Sequence, residues 1–384
     1  MTIESPPISR RDLFGLGAGA VVALSWPAAA AAVEPSDMLI VNALGGIGDP
    51  NAPRRSGPIQ PTERRTFEPR LLADARASGM NAVNVTLGYV AGPMDPFEHT
   101  IREIGVWEAR LRNHPRELTK VLRAADILRA RQEGRIGIIY GFQNAVMLGS
   151  DASRAELFAD LGVRVIQLTY NPANTIGDGS MAPENRGITP FGREVIAALN
   201  ENRIMVDLSH SGQRTCLEAA QISRRPISIN HTGCRALTDL PRNKTDEELR
   251  AVADRGGFVG IYFMPFLNPR SVATPEDVVA HIDHAVNVCG EDHVGIGTDG
   301  GTTAVDDMAA YRARIRQEIA ERRAAGIGAA GENPDTLPFV ERLSGPNQFR
   351  DLIRLLERRG YSTGRIEKIM GLNFLGYARE IWGA

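Results

Sequence analysis

Eight short runs of apolar, largely β-branched residues recur along this chain, each followed by a segment of different rhythm. They are Met38–Leu44, Asn81–Leu87, Ile136–Gly141, Val163–Tyr170, Ile204–His210, Pro226–His231, Gly257–Phe263 and Val294–Thr298. Between them, stretches such as Arg116–Gln132, Gly192–Asn202 and Asp246–Arg255 repeat their apolar residues at about the 3.6-residue helical period. Strands alternating with helices imply a parallel sheet, because parallel neighbours need a crossover. Eight such units predict an α/β fold of the (β/α)8 TIM-barrel type. An open doubly wound sheet is the competing architecture, but no Gly-x-Gly-x-x-Gly follows the first run.

The N-terminus reads differently. Ser9-Arg10-Arg11-Asp12-Leu13-Phe14 precedes an apolar stretch, Gly15 to Pro27, and an alanine run, Ala28 to Ala32. This pattern predicts a twin-arginine export signal over residues 1–33 and a periplasmic or secreted protein. The apolar stretch is too short and glycine-rich to predict a stable membrane span in the mature chain. Residues 34–384 then form one barrel domain. Insertions are expected near 51–68, rich in Pro, Arg and Gly, and near 306–338, where charged helix formers arch over one barrel end. The net charge of −2 is mixed along the chain and speaks against a nucleic-acid surface. Cys216, Cys234 and Cys289 lack metal-ligand or redox spacing and read as buried small hydrophobes.

Chemistry in parallel barrels sits at the C-terminal tips of the strands. Here the tips carry Gln143, then Tyr170 and Asn171, then His210, then His231, and finally Asp299. Arg242 lies in the loop after His231. Two imidazoles on adjacent tips suit a shared metal ion. Asp299 suits proton transfer, and Arg242 suits a bidentate grip on a carboxylate. His281 and His284, at i and i+3 on a helix predicted over Pro275–Cys289, read as a solvated face. His99 and His114 read as surface groups, and His293 sits at the wrong barrel end for catalysis.

These motifs resemble the membrane (renal) dipeptidase family of zinc peptidases. The matching stretches are Asp207-Leu208-Ser209-His210, Ile229-Asn230-His231-Thr232, Arg242-Asn243 with Asp246, Gly256-Gly257, Gly297-Thr298-Asp299 and Gly371-Leu372-Asn373-Phe374. The resemblance implies an amidohydrolase-like barrel, a peptide or peptide-like substrate and a homodimer. It further implies that His210 and His231 ligate zinc, Arg242 binds the substrate carboxylate and Asp299 transfers the proton.

The chain departs from that pattern at the first zinc. The family's His-x-Asp pair is replaced within Val41-Asn42-Ala43-Leu44-Gly45-Gly46, and its bridging glutamate by Gln143. Tyr170 stands where a substrate-contacting histidine is expected. Ligand count therefore favours one zinc over two, on His210, His231 and Gln143, with Tyr170 and Asn171 beside Arg242 at the substrate. A metal-free pocket stays open. Two functions follow: an exported metal-dependent hydrolase of dipeptides or related amides, or a relative that binds or matures a peptide-like small molecule, as in siderophore or secondary-metabolite tailoring. Tyr170 as acid or base of a different reaction is a third.

Overall fold

The computed structural model describes residues 38–52 and 65–384, all within one compact unit spanning Glu34–Ala384. The expected export signal and residues 53–64 of the first insertion lie outside the described residues. Among the described residues, nine parallel strands form one sheet. They are β1 (Val41–Gly45), β2 (Ala82–Thr86), β3 (Leu118–Lys120), β4 (Ile136–Phe142), β5 (Val163–Gln167), β6 (Met205–Asp207), β7 (Ser228–Thr232), β8 (Phe258–Ile261) and β9 (Val294–Ile296). Eight of them follow one another in the order β1-β2-β4-β5-β6-β7-β8-β9, with helices in the crossovers. This is the predicted (β/α)8 barrel.

The ring closes through side chains as well as backbone. Asp299 N donates to Leu44 O at 2.9 Å, and Gly46 N to Gly300 O at 3.1 Å. Below them, Asn42 of β1 grips Thr298 just past β9. Its Nδ2 donates to Thr298 Oγ1 at 2.8 Å, and its Oδ1 accepts from Thr298 N at 2.8 Å. Both residues are buried, so this pair satisfies three polar groups that would otherwise be stranded, Asn42 Nδ2, Asn42 Oδ1 and Thr298 N. Glycine permits the tight lumen near β7. A Cβ on Gly260 would lie 2.0 Å from Asn230 O, and one on Gly297 would lie 1.9 Å from it.

One segment departs from expectation. Arg116–Gln132 is not a single helix: β3 occupies Leu118–Lys120, and the helix runs only over Ala124–Gln132. The reason is the staggered edge of β4. β5 pairs with its last residues, Tyr140–Phe142, leaving Ile136–Ile138 open for β3. Asp126 then starts the helix, its Oδ2 accepting from Leu122 N and Arg123 N at 2.8 and 3.0 Å. Strands β5 and β6 also end earlier than predicted, so Tyr170 and His210 ride on loops just past the sheet.

The insertion after β9 carries a helix over Met308–Ala324. Its continuation crosses the mouth, where Ile327 O accepts from Asn171 Nδ2 at 3.0 Å. No helix of the described residues is long and apolar enough to cross a membrane. Cys216 and Cys234 are buried free thiols, and Cys289 is a half-buried one.

Replacing Asn42 by Leu should strand the Thr298 N–H at the closure, while the hydroxyl keeps its bonds to Gly300. We expect a loss of about 1–3 kcal/mol in denaturant unfolding. An unchanged midpoint and slope would show that β1 and β9 close without this pair.

Candidate active site

Asp207, the last residue of β6, organises the histidine pair. Its Oδ1 accepts from Ser209 N at 3.0 Å, Ser209 Oγ at 2.5 Å and Asn230 N on β7 at 3.0 Å. Ser209 Oγ in turn accepts from His231 N at 3.0 Å. One carboxylate thus fixes the chain at the tips of two neighbouring strands, one carrying His210 and the other His231. The Arg242 guanidinium donates to Ser209 O, drawing the loop after β7 onto the same point. That loop is pinned by Lys244 N to Gly233 O at 2.9 Å and Thr232 Oγ1 to Arg242 O at 3.1 Å.

The result is a close imidazole pair. His210 Nε2 and His231 Nε2 are 3.0 Å apart, and both rings are buried. His210 Nδ1 lies 2.7 Å from Asn171 Oδ1. Because Asn171 Nδ2 is committed to Ile327 O, Oδ1 must accept, which assigns the His210 proton to Nδ1. His210 Nε2 is then an acceptor, and His231 Nε2–H donates to it. His231 Nδ1 is left as a buried lone pair with no partner. Burial holds both rings neutral far below the usual histidine range, with Arg242 adding to the effect. Tyr170 covers the pair, stacked on His210 at 4.2 Å between centroids and 23° between planes.

Asp299 follows β9, lines the mouth cavity and acts electrostatically on Tyr170, the ring stacked on His210. Its φ is +57°, a left-handed conformation uncommon for a residue with a Cβ, held by its N–H bond to Leu44 O. Burial pushes its carboxyl up to about 6, against the opposing pull of Arg242 and Arg322. Burial also raises the Tyr170 phenol, which keeps it protonated at neutral pH.

The structure redistributes the roles of the sequence candidates. His210, His231, Tyr170, Arg242 and Asp299 share one neighbourhood. Asn171 is buried with both ends of its amide engaged, so it orients His210 rather than offering itself to a substrate. Gln143 Nε2 donates to Thr86 Oγ1 at 2.7 Å, and its backbone carbonyl accepts from Gln167 Nε2 at 2.5 Å. These bonds hold the Gln143 amide beside β2 rather than joining it to the histidines. His281 is buried, not solvated: Nδ1 accepts from Cys234 N at 2.8 Å and Nε2 meets Leu267 O at 2.9 Å. His284 pairs with Asp246 at 2.7 Å. His114 is half-buried and accepts from Phe67 N at 2.9 Å.

Sequence reasoning missed Arg322. It comes from the insertion helix, bonds Glu332 at 2.6 Å and acts electrostatically on Tyr170, His210 and Asp299. The only prior signal was the position of that charged helix just after the last strand.

The donor chemistry bears on a family metal. Among the described residues no group of three or more His, Cys, Asp or Glu side chains could hold an ion. His210 and His231 offer two neutral nitrogens and no negative charge. Binding through both Nε2 atoms would also move the His231 proton to Nδ1, where it has no acceptor. Two neutral nitrogens fall short of the three protein ligands of an open catalytic site and do not fit a binuclear centre.

Comparison with known proteins agrees with this fold. An amidohydrolase from Pseudomonas aeruginosa superposes with a TM-score of 0.76 at 29% identity, covering 91% of this chain and 98% of that one. A metallopeptidase from Rhodobacter sphaeroides, liganded with a phosphinate mimic of the dipeptide L-Ala-D-Ala, shares the fold with a TM-score of 0.67 at 21% identity, over 81% of this chain and 90% of that one. Dipeptidase tcpJ of Claviceps purpurea is 27% identical over 286 residues, covering 73% of this chain and 60% of the relative. The chain therefore spans about three fifths of that relative's length. The family model described as membrane dipeptidase, peptidase family M19, matches residues 10–326. This chain belongs to that family.

Proposed function

We propose that the barrel hydrolyses an amide bond in a small peptide-like substrate at its mouth, with Asp299 as the group that takes and returns the proton. The observation that carries this reading is the placement of the Asp299 carboxyl in the lining of the mouth cavity, within electrostatic reach of Arg242 and Arg322, where burial pushes it up to about 6. Near neutral pH it is ionised yet basic enough to accept a proton from an attacking water. It then delivers that proton to the departing amine. Arg242 and Arg322 supply positive charge for a substrate carboxylate, and the protonated Tyr170 offers a hydrogen-bond donor.

A second reading is a binding or maturation protein for a peptide-like small molecule. It is favoured by β1, where Leu44 and Gly46 stand in the stretch expected to carry the missing zinc ligands. The twin-arginine pattern further supports export to the periplasm, and the family resemblance supports a homodimer.

Three outcomes test the first reading. Turnover of a dipeptide panel should have a kcat/KM that falls as pH drops through about 6, where Asp299 takes up a proton. Asp299→Asn should lower that turnover by roughly 100-fold or more and remove the acid limb. A limb that survives the substitution assigns the base to another group.

The same shift sets a stability signature. A carboxyl whose folded pKa lies above its unfolded value favours the neutral form in the fold. Its contribution is complete below about pH 4 and is lost as pH rises through about 6. Asp299→Asn should therefore raise stability at pH 8, on the order of 2 kcal/mol, and leave it unchanged near pH 3.5. Equal thermal midpoints at pH 8 would contradict the shift.

Elemental analysis of dialysed protein should find no more than one divalent ion per chain. Two retained equivalents would restore the binuclear centre.

A further inference from the structure

The histidine pair occupies only part of the mouth. Between the ends of β1, β2 and β9 lies a cavity of 540 Å3 whose lining includes Asp299 and Thr86 but neither histidine. Its walls are aromatic. Trp107 comes from the helix Pro96–Asn113, Phe263 from just beyond β8, and Tyr311 and Phe339 from the insertion after β9. That insertion's aromatic pair is itself packed, with ring centroids 5.6 Å apart.

The glycines along one side point to an occupant from outside the chain. Among the described residues, a Cβ on Gly46 or Gly48 would meet no atom within 4 Å, and neither residue has a positive φ. Gly300 and Gly301 face them, with nearest atoms at 3.9 and 3.7 Å. Neither packing nor backbone conformation requires glycine at these positions. Gly46 and Gly48 have open space in front of them, whereas Gly300 and Gly301 are in ordinary contact range of their neighbours.

Charge orients a ligand in that space. The cavity lining carries the carboxylates Asp49, Glu103 and Asp299 and one guanidinium, Arg110. Arg242 and Arg322 are absent from the lining, although both act electrostatically on His210 and Asp299. A peptide with its carboxylate near Arg242 and Arg322 would direct its N-terminal residue into the acidic, aromatic-walled side. We propose that this cavity is a specificity pocket for a bulky aromatic side chain on the residue N-terminal to the scissile amide. The proposal rests on the peptide-ligand reading above and deepens it by naming the substrate class.

The test uses Phe-Gly, Gly-Phe and Gly-Gly with the full-length protein. Stopped-flow mixing with Trp107 emission reads binding ahead of turnover, with kcat/KM measured in parallel and Trp107→Phe identifying the signal. Phe-Gly should bind at least tenfold more tightly than both Gly-Gly and Gly-Phe. Gly46→Leu should place its side chain in the cavity without a clash and cut the preference for Phe-Gly over Gly-Gly at least fivefold. Gly48→Leu is the second filling variant, and thermal midpoints confirm that each folds. Equal binding of all three dipeptides, tighter binding of Gly-Phe, or an undiminished preference in both folded variants would overturn the proposal. Selective binding without cleavage would keep the pocket and remove the hydrolase reading. Cleavage of all three at equal kcat/KM would do the reverse.

Discussion

The site depends on one buried carboxylate placed between two strand ends. Strands β6 and β7 share only one backbone register pair, Asp207 with Ser228, so the ladder alone does little to align their tips. Asp207 completes the alignment through three hydrogen bonds, and Ser209 relays it to the His231 backbone. Burial alone raises the pKa of Asp207, while the three donors and Arg242 act to keep it ionised. Satisfying a buried carboxylate so fully makes the local chain path hard to exchange for another. The imidazole contact follows from that path, which is why Asp207 precedes His210 by three residues in a single short motif.

The same economy explains the other side of the mouth. Asn42 is spent on closing the barrel against Thr298, and the two residues that follow its apolar neighbour Ala43 are Leu44 and Gly45. Leu44 is buried, and a Cβ on Gly45 would lie 2.1 Å from Asn42 Nδ2. The closure therefore excludes a larger side chain at Gly45 and leaves Gly46 and Gly48 facing open space. A stretch that would carry ligands in a two-metal design is here divided between a hydrogen-bonded seam and a void. Such a division suits a ligand that contributes apolar bulk better than one that requires a second cation.

Much of this was legible in the sequence because strand tips are marked by a change of pattern. An apolar run that ends in Ser-His or Asn-His announces a polar side chain at the edge of a buried strand, and His210, His231 and Asp299 were found that way. The elements that escaped depend on contacts distant in the chain. The short strand β3 exists because β5 leaves part of β4 uncovered, a fact held by residues 136–142 and 163–167 rather than by 118–120. Asn171 carries a motif position suited to substrate binding, but its role is set by Ile327, a residue 156 positions away. Arg322 lies on a helix whose composition is that of any charged surface segment, and only the arch over the barrel brings it to the site.

That arch also accounts for the electrostatic division of the mouth. Arg322 is anchored by Glu332, whose side chain is nearly buried, and the segment between them passes over Asn171. A cation delivered in this way opposes the desolvation that raises Asp299, and Arg242 opposes it from the β7 side. Without these two charges, burial would push the carboxyl higher still and leave it protonated over more of the neutral range. With them it sits where ionisation and basicity are both useful. The carboxyl proposed to transfer the proton is therefore tuned by an element outside the eight-unit repeat. A comparison confined to strands and their tips would find the acid but not what sets its strength.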